Sequence, residues 1–173
     1  MKATYIFALI GLIWIGWWGT ACSEKTLDVP THYTEVQEPV SIYPDYKGVV
    51  VPPNIAPLNF LVRSPGRDYV AVLGNGKEEL VVSAQASQTI QFDEAAWHRL
   101  LDAHRGDSLQ MTLYARLSTG WVRYPAYSFY IAREEIDPYV AYRLIEPGYS
   151  YYRQLGLYQR NLTNFDVRPI YEN

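Results

Sequence analysis

The sequence predicts a mainly β protein: an immunoglobulin-like antiparallel β-sandwich with one inserted helix and a C-terminal extension that is helical or irregular. Short runs of alternating apolar and polar residues occupy residues 45–133, and turn residues separate them about every ten positions. One segment of this range has the spacing of a helix that buries a single face. The tail, residues 134–173, lacks both patterns over most of its length.

The strands of the sandwich are predicted from alternation, which is typical of strands with one buried face. Leu109–Leu117 shows it most clearly, with every second residue apolar. The turn Gly74-Asn75-Gly76 tolerates positive φ and predicts a hairpin between its two neighbouring strands. The predicted strands are Val49–Val51, Leu58–Val62, Tyr69–Leu73, Leu80–Val82, Thr89–Phe92, Leu109–Leu117, Trp121–Tyr124 and Tyr127–Ile131.

The helix is predicted to begin after Asp93, a good N-cap residue, and to end at Gly106. Its buried face has i, i+3, i+4, i+7 spacing and consists of Trp97, Leu100, Leu101 and His104. His104 is therefore expected to be packed in the core.

The tail contains a helix signal of its own. Asp137 followed by Pro138 predicts an N-cap and a first helical residue, so we expect a second helix that ends before Pro147. Because so short a segment cannot bury its apolar side chains alone, we expect Tyr139, Tyr142, Leu144 and Ile145 to pack against the sandwich. The remainder is predicted to form an interface with a downstream domain or partner through Tyr149, Tyr151, Tyr152, Tyr158 and Phe165.

The N-terminus resembles a bacterial lipoprotein signal peptide over residues 1–21. Lys2 precedes an uncharged run, and small residues lead into Cys22, the only cysteine of the chain. The resemblance implies cleavage before Cys22 and acylation of that residue, which would anchor the protein to a membrane. Ser23 differs from the aspartate that retains many lipoproteins in the inner membrane, which favours the outer membrane. The alternative interpretation is an uncleaved transmembrane helix.

Residues 22–44 are polar and contain three prolines, so we interpret them as a tether that leads away from the membrane. The sequence Ser23-Glu24-Lys25 has one acid and one base, whereas surface export in some Bacteroidota uses an acidic patch. We therefore expect a periplasm-facing protein, with surface exposure as the alternative.

Composition excludes several classes of function. Without the signal peptide the chain has 14 basic and 18 acidic residues, a net charge of −4, which is not the charge of a nucleic-acid-binding protein. If Cys22 is acylated, no thiol remains for a disulfide or a metal site. No cofactor and no metal are predicted.

No group of residues specifies a reaction, so the sequence predicts a protein that is not an enzyme. His98 and Asp102 have the i, i+4 spacing of a base and its orienting carboxylate, but no nucleophile accompanies them, and an ion pair on the helix surface is the favoured interpretation. Glu134 and Glu135 are adjacent and therefore point apart. The three histidines lack the spacing of a zinc site.

Two further patterns concern sugars. Asp107-Ser108-Leu109 resembles the three-residue O-glycosylation signal of exported Bacteroidota proteins, which makes Ser108 a candidate site; an unmodified serine that opens a strand is the alternative. The aromatic content is high at 15%. Trp121, Tyr124 and Tyr127 are a candidate platform for stacking on sugars, although their spacing favours core packing.

Two stretches carry a more specific resemblance. One begins at Tyr43 (YPDYKGVVVPPNIAPLNF); the other begins at Ile136 (IDPYVAYRLIEPGY) and is followed by QRNLTNF from Gln159. Together they resemble the N-terminal region of exported Bacteroidota lipoproteins that in longer members continue into a Cys-x-x-Cys-His haem-attachment motif and a TolB-like (WD40-like) β-propeller. This chain has no second cysteine, so it has no c-type haem motif.

The signal peptide, the strand pattern and the lack of a catalytic group of residues predict a lipid-anchored envelope protein that serves as a non-catalytic binding or docking module. The resemblance implies that it is the N-terminal part of a larger TolB-like propeller protein. Two alternatives remain open at this point. One is a fragment of a c-type haem electron-transfer protein or an enzyme, and the other is a carbohydrate-binding module. The expected partners are the membrane, through Cys22, and a protein or downstream domain that contacts the C-terminal extension.

Overall fold

The computed structural model describes residues 28–144 and 156–172. These residues form three sheets and a single helix, so the mainly β fold is confirmed. In chain order the elements are β1 (Thr34–Glu35), β2 (Ile42–Tyr43), β3 (Val50–Val51), β4 (Phe60–Val62), β5 (Tyr69–Gly74), β6 (Glu79–Ala84), β7 (Thr89–Ile90), α1 (Glu94–Ala103), β8 (Ser108–Leu117), β9 (Gly120–Arg123), β10 (Tyr127–Ile131), β11 (Tyr139–Leu144), β12 (Gly156–Asn161) and β13 (Val167–Glu172).

The largest sheet is built around β8. One edge of β8 pairs antiparallel with β5, from Tyr69 opposite Ala115 to Gly74 opposite Gln110. Its other edge pairs with β10 near its start and with β9 near its end. The hairpin predicted around Gly74 is confirmed, since β6 pairs with β5 beyond it. Strands β1 and β3 add parallel edges to β9 and β10.

The second sheet, with the order β2-β4-β7, packs against the first and encloses the core. Phe60, Val62 and Ile90 from this sheet join Leu109, Met111 and other inward residues of β8 in one buried cluster. The alternation predicted for β8 is seen in its buried residues Leu109, Met111, Leu113 and Ala115. The arrangement is consistent with a β-sandwich; the immunoglobulin-like topology stays a prediction.

The tether prediction is wrong for its second half. Strands β1 and β2 lie within residues 22–44 and pair with β9 and β4. Val40 and Ile42 are buried in the core, at 1% and 5% exposure. The prolines and polar residues around Val40 and Ile42 are typical of a linker. In the structure, however, these single apolar residues, in or beside very short strands, fill the end of the sandwich core. The folded domain therefore begins before residue 45.

Helix α1 confirms its prediction. Asp93 accepts a hydrogen bond from the backbone N–H of Ala96 at 2.8 Å, as an N-cap does. Trp97, Leu100 and Leu101 are buried, and the Trp97 ring packs between Phe92, which precedes the helix, and Phe129 of β10. Among the described residues, no helix has the length and apolarity that crossing a membrane requires.

The β5–β6 turn is fastened to the end of α1 by Asn75 and His104. The Asn75 Oδ1 accepts the backbone N–H groups of Lys77 and Glu78, at 3.0 and 3.2 Å. Its Nδ2 lies 2.7 Å from His104 Nε2. Since His104 Nδ1 faces the Leu100 carbonyl oxygen at 2.8 Å, Nδ1 carries the proton and Nε2 accepts from Asn75. His104 is thus packed, as expected from the sequence.

Replacing Asn75 with alanine removes three hydrogen bonds and leaves the buried His104 Nε2 without its donor. We expect a loss of about 1–3 kcal/mol in the free energy of unfolding, measured by urea denaturation. The control is Lys77→Ala, which keeps the backbone bond and should change stability by less than about 0.5 kcal/mol. Equal losses in both variants would contradict the role of the Asn75 side chain.

A strand occupies the described residues of the second predicted helix. Tyr139–Leu144 is the strand β11, and with β12 and β13 it forms a separate antiparallel sheet. The Asp137-Pro138 signal is local, whereas Tyr139-Val140-Ala141-Tyr142 is rich in strand-forming side chains. Pairing of Tyr139 with Asn161 through Leu144 with Gly156 then decides the conformation. Long-range pairing outweighs the local cap, and the described part of the extension forms strands rather than a helix.

Burial raises the pKa of Tyr127 well above its ordinary value of 10. Below pH 10 this tyrosine is neutral in both the folded and the unfolded chain, so its contribution to stability is intact. As the pH rises through 10, the unfolded chain ionises first, and the free energy of unfolding falls until the folded pKa is passed.

We therefore expect Tyr127→Phe to have a shallower loss of stability above pH 10 than the wild type, by up to about 1.4 kcal/mol per pH unit. Urea denaturation between pH 7 and pH 11.5 measures this slope. At pH 7 the two proteins should differ little, which serves as the internal control. Parallel curves above pH 10 would show that Tyr127 titrates alike in both states.

Candidate interaction surface on the C-terminal sheet

The sheet of β11, β12 and β13, called the C-terminal sheet below, is attached to the sandwich through the loop of residues 52–57. The backbone N–H of Ala56, a fully buried residue, donates to the Leu162 carbonyl oxygen at 2.7 Å. The Asn54 side chain binds both backbone groups of Ile136: its Nδ2 donates to the carbonyl oxygen at 2.8 Å, and its Oδ1 accepts the N–H at 3.1 Å. These three bonds fix where the third sheet begins.

The same loop is held by α1. The Ile55 carbonyl oxygen accepts from Trp97 Nε1 and from His98 Nε2, each at 3.0 Å. Ile55 N–H donates to the Pro52 carbonyl oxygen at 3.3 Å, which closes a turn within the loop. The loop is therefore a junction: one of its residues binds the helix and the next binds the C-terminal sheet.

The C-terminal sheet exposes its side chains to an unusual degree. In β11 and β13 every residue is exposed except Tyr142, which is half-buried. Twelve large apolar side chains are exposed in the described part of the chain, and seven of them belong to this sheet: Tyr139, Val140, Leu144, Leu157, Val167, Ile170 and Tyr171. A sheet of three strands is normally stabilised by burying one face, whereas this one leaves apolar area that no other described residue covers.

Aromatic and charged side chains order one face of the sheet. The Tyr142 and Tyr158 rings stack with their centroids 5.8 Å apart, and Tyr158 Oη donates to Glu172 Oε1 at 2.6 Å. That hydrogen bond raises the pKa of Tyr158 above its usual value. Gly156 makes room for the ring, because a Cβ at this position would collide with Tyr158. At the next turn the Arg160 guanidinium lies 4.6 Å from the Phe165 ring.

Strand β11 has an open outer edge. The Leu162 N–H donates to the carbonyl oxygen of Pro138, which lies directly opposite. In an antiparallel pair every second residue directs both its N–H and its C=O at the neighbouring strand, so in β11 the even-numbered residues bond to β12. The peptide groups of Tyr139, Ala141 and Arg143 consequently point away from the sheet. Within the described residues no strand pairs with this side of β11.

The opposite edge, formed by β13, is blocked. The Asn161 N–H donates to the Asp166 carbonyl oxygen at 2.8 Å. This bond shows which residues of β13 direct their N–H and C=O groups at β12 and which direct them away from the sheet. Arg168, opposite Gln159, therefore points its peptide groups inward, while those of Val167 and Pro169 point outward. Pro169 has no N–H to offer, and proline at an edge strand prevents further pairing. The register shifts between Leu157 and Tyr158, where Ile170 is an extra residue of β13, and this bulge bends the strand as well.

The predicted interface residues have mixed outcomes. Tyr158 and Phe165 lie on the C-terminal sheet and its turn, both half-buried by contacts within that sheet. The prediction that Tyr139 and Leu144 pack against the sandwich is wrong, since they are 52% and 58% exposed. Tyr142 packs on Tyr158. The remaining candidates lie outside the described residues: Cys22, Ile145, Tyr149, Tyr151 and Tyr152.

His98, Asp102 and Glu135, which were considered for catalysis, each have a structural partner. His98 Nε2 binds the Ile55 carbonyl oxygen, whereas Asp102 accepts from Arg105 Nε at 2.7 Å. Arg105 also reaches Glu135 at 2.5 Å, so the predicted pair of His98 and Asp102 is not what orders this side of the helix. A groove of about 480 Å³ runs between α1 and the turn at Thr163, and His98, Asp102 and Arg105 are among the residues that line it. In the described residues, no cluster of acidic, histidine or cysteine side chains is arranged to hold a metal.

The candidate sugar-binding residues are placed as follows. Tyr124 is buried in the core at 7% exposure, and Tyr127 packs against the same cluster. Trp121 is half-buried. These three rings do not form one open platform, in agreement with the core packing that their spacing favours. Carbohydrate binding stays an alternative that rests on aromatic content. Ser108 is exposed at the start of β8, with its N–H bound by Asp107 Oδ1 at 2.7 Å; its glycosylation stays a prediction.

No protein-family model, curated protein or solved structure matches this chain.

Sequence reasoning missed the junction and the open edge. Asn54 stands between prolines and a β-branched residue, a pattern with no functional signature, and its role depends on Ile136, which is 82 positions away. The edges of a sheet are defined only when strand order is known. Pro169 was the one local signal, because proline in an apolar, strand-like segment is typical of an edge.

We expect Asn54→Ala to loosen the C-terminal sheet while the sandwich stays folded. Both backbone groups of Ile136 lose their partner, so amide exchange in β11 and β12 should become at least tenfold faster, which corresponds to about 1.4 kcal/mol. Hydrogen exchange followed by mass spectrometry measures it, with β5 and β8 as internal references. Asn54→Asp keeps the acceptor and should have a smaller effect. Uniformly faster exchange in all strands would indicate global destabilisation instead.

Proposed function

We propose that the protein is a lipid-anchored, non-catalytic docking module of the cell envelope, and that its C-terminal sheet is the surface that binds a protein partner or a downstream domain. The observation that carries the proposal is the exposure of this sheet. Its outer strands leave apolar side chains on both faces in water, at a cost of about 25 cal/mol for each Å² of apolar area. Covering that area supplies the driving force for docking.

The chemistry of the surface suits a protein partner. Tyrosine, arginine and large aliphatic side chains are enriched in the buried centres of protein interfaces. Here Tyr139, Tyr171 and Leu157 lie beside Arg143 and Arg168, so apolar area and hydrogen-bond donors are interleaved. Arg168 is already oriented, because its Nε and Nη2 both donate to Gln159 Oε1, at 3.2 and 2.9 Å. An ordered side chain loses less entropy when a partner binds.

The non-catalytic part of the proposal rests on the partners of the titratable groups. His98 and His104 use ring nitrogens to bind the backbone or Asn75, and Asp102 and Glu135 pair with Arg105. Groups used in this way stabilise the fold. The resemblance to the anchored N-terminal region of TolB-like propeller proteins supports the same conclusion, because in those proteins this region precedes the domain that it would dock.

Membrane attachment is proposed through acylated Cys22, with an outer-membrane, periplasm-facing location. Between Cys22 and the first residue of β1 lie residues 23–33, which reach at most about 40 Å when fully extended. A sandwich held so close to the lipid would present its surfaces to other envelope proteins.

Cys22→Ala tests the anchor. We expect the variant either to appear in the soluble fraction or to accumulate as an uncleaved precursor, because the acylated residue is gone. Membrane fractionation and intact mass measurement distinguish these outcomes from the wild type, with Ser23→Ala as the matched control. Unchanged membrane partition and unchanged mass processing would favour the transmembrane interpretation of residues 1–21.

Site-specific photo-crosslinking in intact cells tests the docking surface. A photoreactive phenylalanine analogue at Tyr171, on the C-terminal sheet, should yield discrete crosslinked proteins. The control is the same analogue at Tyr43, which is similarly exposed, at 57% against 65%, but lies on the sandwich. Equal or absent crosslinking at the two positions would contradict docking through the C-terminal sheet.

A further inference from the structure

We infer that the open edge of β11 pairs antiparallel with the β11 edge of a second copy of this chain, which joins the two C-terminal sheets into one. The inference rests on the proposed function, since it assigns one partner to the same sheet. Its basis is the direction of the peptide groups: those of Tyr139, Ala141 and Arg143 point away from β12. Three successive outward groups without proline form a template for strand addition.

The hydrogen-bonding groups on the open edge of β11 can pair with the same groups on the β11 edge of a second chain. In an antiparallel pair, residues that exchange two hydrogen bonds alternate with residues that exchange none. A two-fold axis at Ala141 places Ala141 opposite the Ala141 of the partner and Tyr139 opposite the partner's Arg143. All three are outward-pointing residues, so each pair exchanges two bonds, about six in total.

The side chains of that register are complementary. Arg143 is exposed, and no ion pair or ring contact within the described residues uses it. The pairing sets its guanidinium beside the Tyr139 ring of the partner, at a separation where cation–π attraction operates. The Arg168 guanidinium lies 6.0 Å from the same Tyr139 ring within the chain, which leaves room for a second cation. An axis at Arg143 would instead place two guanidinium groups opposite each other, a repulsive arrangement.

On the other face of the sheet, the proposed pairing adds a side chain to the existing cross-strand contact between Tyr142 and Tyr158. Tyr142 stacks on Tyr158, and the pairing adds the Val140 of the partner on the open side of Tyr142. Val140 is 42% exposed in the single copy. Aromatic and β-branched side chains directly opposite each other are among the favourable cross-strand pairs, so apolar area on both copies is covered at once.

A charge exchange at the axis tests the pairing. Two full-length copies with different affinity tags are expressed together, and recovery of the second tag with the first is measured from solubilised membranes. Wild-type copies should co-purify. Ala141→Glu in both copies places two carboxylates face to face and should reduce recovery at least tenfold, as should Ala141→Lys in both. One copy with Ala141→Glu and one with Ala141→Lys should restore it.

Position 141 is exposed, so each substitution leaves the single copy folded, and the restored combination shows this directly. A cysteine scan gives a second measurement. Ala141→Cys should form a disulfide-linked dimer on mild oxidation, because directly opposite Cα atoms lie within disulfide range. Val167→Cys, on the edge that Pro169 blocks, should not, and the parent chain controls for Cys22.

Absence of co-purification between wild-type copies, or lack of restoration by the opposite charges, would overturn the inference. Crosslinking that is as efficient at Val167 as at position 141 would do the same. Failure of self-pairing can be distinguished from failure of the docking proposal. If only self-pairing fails, crosslinks from Tyr171 to other proteins would persist. Loss of both results would reject the C-terminal sheet as an interaction surface altogether.

Discussion

The Ile55 carbonyl oxygen is the point through which the separate parts of this protein are joined. It accepts hydrogen bonds from Trp97 and His98, two neighbouring residues of the helix, and thereby holds the loop of residues 52–57 against α1. Trp97 is itself fully buried between the sheets, so the position of the loop is set by the core. With the loop fixed, Ala56 and Asn54 present their polar groups to the C-terminal sheet.

This arrangement separates two kinds of stability within one chain. The sandwich has a continuous apolar core and a central strand, β8, that is paired on both sides. The C-terminal sheet has little buried area and is held mainly by backbone and amide hydrogen bonds at its base. Regions of this second kind open more easily and are commonly the ones that bind partners. The difference in packing therefore parallels the proposed division between a scaffold and a docking surface.

Periodicity predicted the sandwich well because its signal is local. The alternation of β8, the Gly74–Gly76 turn and the Asp93 cap are each contained within a few residues, and each has the predicted structure. The C-terminal strand β11 was predicted as a helix because Asp137-Pro138 is an equally local signal. Its true conformation depends on β12, which follows it only after residue 155, and short-range patterns carry no record of such pairing.

The candidate site illustrates the same limit. Tyr158 and Phe165 were found from aromatic content alone, which locates a surface but not its geometry. Val40 and Ile42 were missed because two-residue strands have no period to detect. The direction of each peptide group at the edges of the sheet requires the register of all three strands. Composition therefore predicts that a surface exists, and only the paired structure tells which edge of it is open.

The difference between the two edges of the C-terminal sheet determines how large an assembly can become. A sheet with two open edges can add copies without end, as in fibres, since each addition exposes a fresh edge of the same kind. Here Pro169 removes an outward N–H from β13, so a pair of copies joined through β11 would display only blocked edges. Growth would stop at two subunits. In such a pair, one imino acid and the register shift beside it would make the difference between a closed dimer and a polymer.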